Sequence, residues 1–329
     1  MGTVTYYTSD DTSAPALNDA QGSLGSLLNK ILVGSGGVAY GSKASSGWTN
    51  PYSGTTGQYV FQQGGGNGFF LNLDDSAATG TSTWARVSGY QTMSAFGTGT
   101  LQFPNNIQQS GGLYWPRFPY TAATTPSRWA CIATNKTFYF WNEGDGTNNG
   151  SKHYQSLFFF GDANNYGSAD NACTLILGET SAAVPTLTFT NIATLTTIIY
   201  AASNFLGALD GSGSVTQGWH SDYWLNGASA NVGNGGVAYP NPEDTGLYVK
   251  PIWLTEVNAG QNQLRALMPG IWNNCHAASN FTQTAVNTAN FGGNSGDQVG
   301  SSRSFTILLL GSTAANYGSI VFETSNTWY

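Results

Sequence analysis

Acidic residues are the side chains of this sequence that could do chemistry, and they occur as adjacent pairs in predicted turns. The pairs are Asp10 with Asp11, Asp74 with Asp75, and Glu243 with Asp244. A glycosidase needs two carboxylates about 5 Å or about 6.5 to 9.5 Å apart across a sugar ring, and adjacent acids do not predict that geometry. Aspartate favours turns because its side chain bonds the nearby backbone. We therefore interpret these acids as solvated turn residues and predict that the chain is not an enzyme; a glycan depolymerase is the enzymatic alternative.

Histidine and cysteine, which serve in catalysis and metal binding, are few and scattered. No two histidines have the spacing that places two ligands on one helix face, and the cysteines have no zinc-ribbon or disulfide-framework spacing. No acidic loop matches a recognised calcium-binding spacing. We predict no metal and no cofactor, and we expect buried free thiols. The residues concerned are His153, His220, His276, Cys131, Cys173 and Cys275.

The glycine-rich stretch at residues 62–67 (QQGGGN) resembles a phosphate-binding loop only in its glycines. It lacks the lysine and the strand-to-helix context that phosphate binding requires. We interpret it as a flexible or tight-turn loop.

The overall charge is unusually low. The 329 residues include 10 Lys and Arg and 17 Asp and Glu, so 8% are charged, whereas 13% are aromatic. Soluble domains are about a quarter charged, and the cores of protein interfaces are depleted in charge and enriched in aromatic residues. This composition predicts an assembly protein, with a homo-oligomer and other structural proteins as partners. No basic stripe marks a nucleic-acid surface.

Two further segments bear on location. The first 15 residues lack the basic start and apolar core of a secretory signal, so we expect synthesis in the cytoplasm. The longest apolar stretch, residues 193–209, is interrupted by threonines, Ser203 and Asn204, and is shorter than the roughly 20 apolar residues of a membrane span. We predict no membrane partner.

One helix is predicted near residues 17–33, where Leu17, Ala20, Leu24, Leu28 and Leu32 follow a helical period. Glycines at 34, 36 and 37 end it. Internal glycines at 22 and 25 each cost about 1 kcal/mol relative to alanine, so the helix must depend on packing.

The rest of the chain predicts short strands separated by Gly, Asn, Ser and Pro. Residues 132–141 form a predicted hairpin whose apolar arms are joined through Thr134, Asn135 and Lys136. The fold class is all-β, with two sandwich-like or barrel-like halves and one short N-terminal helix. The predicted strands are 59–62, 68–73, 84–87, 129–133, 136–141, 157–160, 187–189, 195–200, 246–255, 304–310 and 319–323.

We divide the chain into a β-rich domain at 1–185, which carries the helix, and a second at 186–329. A faint echo relates them: FFFG at 158–161 with NYGS at 165–168 resembles LLLG at 308–311 with NYGS at 316–319. The spacing differs by one residue, so a distant duplication is one interpretation.

Tryptophans in turn-rich surroundings could stack on sugars, although aromatic residues in an all-β protein mostly fill core and interface. Sugar binding is therefore an alternative hypothesis. The candidates are Trp48, Trp115, Trp219, Trp224 and Trp272.

Short sequence phrases that carry a family resemblance are spread over nearly the whole chain. They are YYTSDD at 6–11, APAL at 14–17, YGSK at 40–43, RVSGY at 86–90, FYFW at 138–141, FFFGD at 158–162, LMPGIW at 267–272 and FETSNTW at 322–328. In this order they resemble a family of structural proteins of tailed-bacteriophage virions. Polar insertions at 142–150 and 226–241 depart from the family.

The resemblance implies a place in the virion and carries no catalytic residues. We expect a capsid decoration or cement protein that stabilises the particle by burying surface against its neighbours, with a tail or baseplate accessory that binds carbohydrate or a receptor as the alternative. Trp328 and Tyr329 are candidate interface anchors, since terminal segments become ordered only when tied down; alternatively, Trp328 closes its own domain.

Overall fold

The structure is a computed structural model, and it describes a large part of the chain. The described residues are 3–77, 84–104, 110–117, 126–143, 155–165, 174–178, 219–221, 249–258, 261–274, 282–285, 288–290, 305–312, 315–324 and 328. The predicted domain boundary near residue 185 and the predicted strands at 187–189 and 195–200 lie outside this set.

The prediction of an all-β fold with one short helix is confirmed. The strands of the first half are β1 (Thr5–Thr8), β2 (Val38–Tyr40), β3 (Lys43–Ala44), β4 (Thr49–Ser53), β5 (Gln58–Gln62), β6 (Phe70–Asp74), β7 (Trp84–Ala95), β8 (Thr98–Phe103), β9 (Leu113–Pro116), β10 (Arg128–Ala133), β11 (Thr137–Glu143), β12 (Gln155–Asp162), β13 (Asn164–Asn165) and β14 (Thr174–Leu177). Those of the second half are β15 (Trp219–Ser221), β16 (Val249–Asn258), β17 (Gln261–Asn274), β18 (Thr282–Ala285), β19 (Thr288–Asn290), β20 (Phe305–Ser312) and β21 (Ala315–Glu323).

Three antiparallel sheets contain most of these strands. The first sheet has the order β4-β5-β6-β7-β8, with β9 also paired to β7. The middle sheet has the order β1-β10-β11-β12-β14. The third sheet has the order β15-β16-β17-β21-β20, and β13 joins it by pairing with β17. Two further pairs, β2 with β3 and β18 with β19, are separate hairpins.

The predicted hairpin at 132–141 is confirmed as β10 and β11. Ala133 pairs with Phe138, and the backbone N–H of Thr134 donates to the carbonyl of Thr137 at 2.8 Å. The Thr134 hydroxyl accepts from the N–H of Thr137 at 3.1 Å. A polar turn between two apolar arms therefore fixes the register, as the sequence indicates.

The helix starts later than predicted. An α-helix, α1 (Ser23–Leu28), continues as a π-helical turn over Asn29–Val33. Gly22 just before it has φ +77°, which is not helical. Leu17 is fully buried but forms a bridge with Ser127 instead of a helical turn. The apolar period extended the prediction too far because Leu17 reaches the same core from a non-helical segment.

The main core lies between the first and middle sheets, with α1 packed against it. The rings of Trp115 and Phe158 are stacked 5.0 Å apart, and Trp129 is stacked on Phe140 at 6.0 Å. Each such aromatic pair adds about 0.5 to 1.5 kcal/mol beyond its buried area. Gly25 lets the helix approach the first sheet, since a Cβ there would lie 2.6 Å from the Tyr59 ring.

The middle sheet is buried on both faces. Cys131, Phe138 and Phe140 belong to the main core, whereas their strand neighbours Ile132 and Tyr139 point to the other face and are also fully buried. On that other face, Tyr139 donates to the carbonyl of Pro269 in β17 at 2.7 Å. Antiparallel sheets commonly leave one face to solvent. This sheet is covered on both faces instead, so it is an internal layer.

A small second cluster lies on the outer face of the first sheet. Val60, Tyr90 and Met93 are buried there, and Phe70 and Phe96 pack against them. The tip of the β7–β8 hairpin is tied to the same face, because the N–H of Gly97 donates to Oδ1 of Asn72 at 2.9 Å. The hairpin tip thus covers part of a face that would otherwise be open to water.

Candidate functional site

Asp75, predicted to be a solvated turn residue, is completely buried, and for this residue the prediction is wrong. Its Oδ1 lies 3.1 Å from Nη1 of Arg117, and neither side chain has exposed area. Its Oδ2 accepts from the N–H of Gly25 in α1 at 3.1 Å. Burial raises the pKa of Asp75 from 3.8 to about 7, although Arg117 and the backbone N–H groups of Gly25 and Leu24 act in the opposite direction.

Arg117 turns this ion pair into a junction between three segments. Its Nη1 donates to the carbonyl of Ala20 and its Nη2 to the carbonyl of Ala77, both at 3.2 Å. The guanidinium therefore connects the end of β9 to the start of the helix and to the chain leaving β6. The planar guanidinium group has five N–H donors, which suits it to bind several segments at once. We therefore assign the Asp75–Arg117 pair a structural role.

Asp11, for which the prediction of a solvated turn residue is also wrong, forms a second junction that is more exposed, with its side chain at 14%. It binds Nζ of Lys43, accepts from the Tyr40 hydroxyl at 2.7 Å and accepts from the N–H of Thr8 at 2.8 Å. Partial burial would raise the pKa of Asp11, but the hydrogen bonds from Lys43, Tyr40 and Thr8 outweigh burial and hold it below 3.8. The junction fixes β1 against the β2–β3 hairpin.

The interpretation as a solvated turn residue holds for Asp10, which is exposed in a turn. Asp74 is instead the last residue of β6 and is partly buried. Its Oδ1 accepts from the N–H of Ser76 at 3.1 Å, two residues along the chain, which is the local backbone bond that aspartate favours where the chain turns. Glu243 and Asp244 lie outside the described residues.

Asp162 is a third internal carboxylate, and it fixes the glycine-rich loop at 62–67. It accepts from Nε2 of Gln63 at 2.9 Å, from the N–H and Nδ2 of Asn67 at 3.0 and 3.2 Å and from Oγ1 of Thr174 at 2.7 Å. Of the two interpretations left open, the tight turn is the one observed.

Two of the five candidate sugar-stacking tryptophans are in the core, so this interpretation is wrong for them. Trp48 is 2% exposed and Trp115 is fully buried; their indole N–H groups donate to the carbonyls of Thr134 and Leu177 at 2.7 and 2.6 Å. Trp272 is partly buried and donates to Oε2 of Glu323 at 2.9 Å. The side chains of Trp219 and Trp224 are not among those described.

Trp328, a predicted interface anchor, packs within its own chain. It is 6% exposed, its indole N–H donates to the carbonyl of Glu323 at 2.8 Å, and its ring meets Tyr139 at 6.1 Å. A Cβ on Gly270 would lie 2.2 Å from that ring. Trp328 thus joins the third sheet to the middle sheet. Tyr329 lies outside the described residues.

A cavity of about 230 Å³ opens beside α1. Its lining mixes polar residues (Asn18, Gln21, Ser23, Ser26 and Lys30) with apolar ones such as Pro15 and Leu27, and it contains no acidic residue. The lining therefore lacks the pair of carboxyl groups that a glycosidase uses.

The described surface of the first sheet carries little charge at its two ends. In β4, exposed and partly exposed residues alternate, and in β8 the first four residues are all exposed; neither strand contains a charged residue. The largest exposed apolar side chains described are Leu101 in β8, at 49%, and Val38 in β2, at 46%. Low charge is a property that these strands share with the cores of protein interfaces.

The remaining candidate groups add no chemistry within the described residues. Cys131 is buried, and burial raises the pKa of its thiol, which makes it less reactive. Among the described residues, no three His, Cys, Asp or Glu side chains are grouped to hold a metal ion, and none of the described helices has the length and apolar character to cross a membrane. The side chains of His153, His220, His276, Cys173 and Cys275 are outside the described set.

The chain was also compared with known proteins. No protein-family model matches it, and no curated protein matches its sequence.

Proposed function

We propose that this protein is a structural component of a tailed-phage virion, and that it decorates or cements the capsid by burying uncharged surface against its neighbours. The observation that carries the proposal is the placement of charge. The carboxylates of Asp11, Asp75 and Asp162 all bind groups of their own chain, while the exposed strand β8 is uncharged.

This division suits an assembly protein for a physical reason. Each charge on a surface must lose water when that surface is buried, and burying a charge costs several kcal/mol unless it is paired. A surface of Thr, Gly, Gln and Leu avoids that cost. Interfaces of about 1,600 Å², repeated by symmetry, would then stabilise a shell through the assembled state.

The dense packing of the interior supports the same role. The middle sheet is buried on both faces, and the interior carboxylates tie loops to sheets at fixed positions. A protein that holds a shell together must resist deformation under load, and a densely packed interior transmits strain with little compression.

Immunogold labelling of intact phage particles with an antibody to this protein tests the proposal. Dense labelling of the head is the expected result, with a copy number that matches the shell symmetry. Labelling confined to the tail or its tip would replace the cement role by the tail-accessory role and its receptor binding. If intact particles carry no label and contain none of this protein, both the cement role and the tail-accessory role are overturned.

Loss of the protein gives a second test of the cement role. Particles assembled without it should release their DNA at a lower temperature or after a milder osmotic shock than complete particles. Unchanged heat and shock resistance, with the protein shown to be on the head of complete particles, would contradict cementing.

A further inference from the structure

The glycine-rich loop at 62–67 ends in an asparagine that is followed by a glycine, Asn67-Gly68. In an Asn-Gly pair the asparagine side chain loses its amide group most readily, because glycine has no Cβ to shield its own backbone nitrogen. Gly68 has a φ of +70°, and among the described residues no atom lies within 4 Å of a Cβ placed on it. The residue that follows Asn67 therefore gives it no steric protection.

Hydrogen bonds to the middle sheet hold Asn67 instead. Its Nδ2 donates to Oδ1 of Asp162 at 3.2 Å and to Oγ1 of Thr174 at 2.9 Å. Its backbone N–H donates to Oδ2 of Asp162 at 3.0 Å. Asp162 is 7% exposed and Thr174 is fully buried, so the side-chain amide is fixed by two groups that are themselves held in the interior.

The rest of the loop fits closely around the same carboxylate. Gly66 has a φ of +65°, and a Cβ on it would lie 2.0 Å from Oδ2 of Asp162. The N–H of Gly64 donates to the carbonyl of Asn135, in the turn between β10 and β11, at 2.9 Å. These contacts join the loop between β5 and β6 of the first sheet to the middle sheet, and opening of the loop would break them.

We propose that Asn67 is a site of spontaneous deamidation that the closed loop protects, and that the reaction, once it has occurred, prevents the loop from closing again. The backbone nitrogen of Gly68 attacks Cγ of Asn67, so that an N–Cγ bond forms while the Cγ–Nδ2 bond breaks. The Nδ2 group leaves as ammonia with the proton of the Gly68 amide. Water then opens the five-membered succinimide ring to give aspartate or isoaspartate.

The partners of the side chain explain both the protection and its loss. The attack requires Cγ to turn towards the Gly68 nitrogen and the amide group to depart, and the bonds from Nδ2 to Asp162 and Thr174 oppose both motions. Local opening of the loop breaks these bonds and permits the reaction. In the product a carboxylate replaces a donor group, and it faces the carboxylate of Asp162, where two like charges repel each other.

Peptide mapping by mass spectrometry of the purified full chain measures the rate of deamidation at Asn67, once in the folded state and once in urea. Folding should slow the reaction at least tenfold, because hydrogen bonds to a charged group must open first. Asp162→Asn should remove most of this protection, and Thr174→Val, which removes one acceptor, should remove a smaller part. Equal rates in the folded state and in urea, or no reaction at Asn67 in urea, would overturn the proposal.

Asp74→Asn is the matched control, since it makes the same change of charge in β6 of the first sheet and should leave the rate at Asn67 unchanged. Three other Asn-Gly pairs are internal references, and their rates should be the same in wild type and variants if the effect is local. Acceleration at all four sites together would show general unfolding and contradict protection by the loop. The three reference pairs are 149–150, 226–227 and 234–235.

The effect of the product is tested separately with Asn67→Asp, which reproduces the aspartate form, and with Asn67→Ala, which removes the same bonds without adding charge. Asn67→Asp should have the lower urea midpoint at pH 7. The difference between the two variants should shrink as the pH falls towards 4, because protonation relieves the repulsion from Asp162. The N–H of Gly64 should also exchange faster with solvent in Asn67→Asp. Equal midpoints and equal exchange in the two variants would show that the loop still closes, contrary to the proposal.

Discussion

Two acidic pairs of identical sequence, Asp10-Asp11 and Asp74-Asp75, have opposite electrostatics. In each pair the second aspartate binds a basic side chain and a backbone N–H. Asp11 is partly exposed and its pKa is lowered, whereas Asp75 is fully buried and its pKa is raised to about 7. The depth of burial therefore decides whether the pKa of the aspartate is raised or lowered, because desolvation outweighs the effect of the basic partner only at Asp75.

The largest effect should come from removing the partner of the buried aspartate. Arg117→Met leaves Asp75 buried without its cation and removes two bonds to backbone carbonyls, so the free energy of unfolding should fall by about 3 to 5 kcal/mol. Urea denaturation measures this loss. The double variant with Asp75→Asn is the control and should recover part of it, because no charge then stays unpaired; a double variant as unstable as the sum of both singles would contradict the account.

The helix start beside Asp75 should be nearly as sensitive. Gly25→Ala improves the intrinsic helix propensity by about 1 kcal/mol, yet its Cβ would lie 2.6 Å from the Tyr59 ring and 3.2 Å from Leu73. We expect a net loss of about 1 to 3 kcal/mol in urea denaturation. In a Tyr59→Ala background the same change should cost much less, since the ring is gone; an unchanged cost would refute the close approach.

The pH dependence of stability should distinguish the two junctions. Because the folded pKa of Asp75, about 7, is above its unfolded value of 3.8, the folded state binds more protons in this window. Stability from this group therefore rises as the pH falls from 7 to 4, by at most about 1.4 kcal/mol per pH unit. Urea midpoints of wild type and Asp75→Asn should converge towards lower pH if the aspartate is the cause; parallel curves would exclude it.

Asp11 should give the smallest effect, with the opposite sign. Its folded pKa lies below 3.8, so its contribution is present above pH 4 and is lost as the pH falls through the folded pKa. Asp11→Asn should cost about 1 kcal/mol at pH 7, because its partner Lys43 is 28% exposed. The neighbouring exposed Asp10→Asn is the control and should change stability by less than about 0.5 kcal/mol. Equal losses for the two variants would contradict the role of Asp11.

The sequence predicted the middle strands well because their signals are local. Strands β10 and β11 are apolar runs around a polar turn, and both the elements and the register follow from that pattern. The start of the helix was mispredicted because Leu17 fits the apolar spacing of the helix, although its backbone forms a β-bridge and is not helical.

The sites were harder to predict because their partners are distant in sequence. Nothing around Asp75 indicates Arg117, which directly follows another strand of the same sheet, β9. One signal was available: Arg117 is a lone charge in the aromatic and proline run YWPRFPY at 114–120, and a charge in such a setting is usually paired. Trp48 and Trp115 stayed candidates for sugar stacking, beside the favoured core position, because turn residues beside an aromatic do not show which way its ring points.

The double-sided burial of the middle sheet has a consequence during synthesis. Ribosomes make β10, β11 and β12 well before they make β17, β21 and Trp328. The rings of Phe322 in β21 and of Trp328 contact Tyr139 in β11. Among the described residues, the groups from outside the sheet that contact Tyr139 all belong to these later segments, so this part of the aromatic face lacks them until they emerge. Such a nascent intermediate exposes the kind of surface that aggregates and recruits chaperones, so premature termination should produce insoluble fragments.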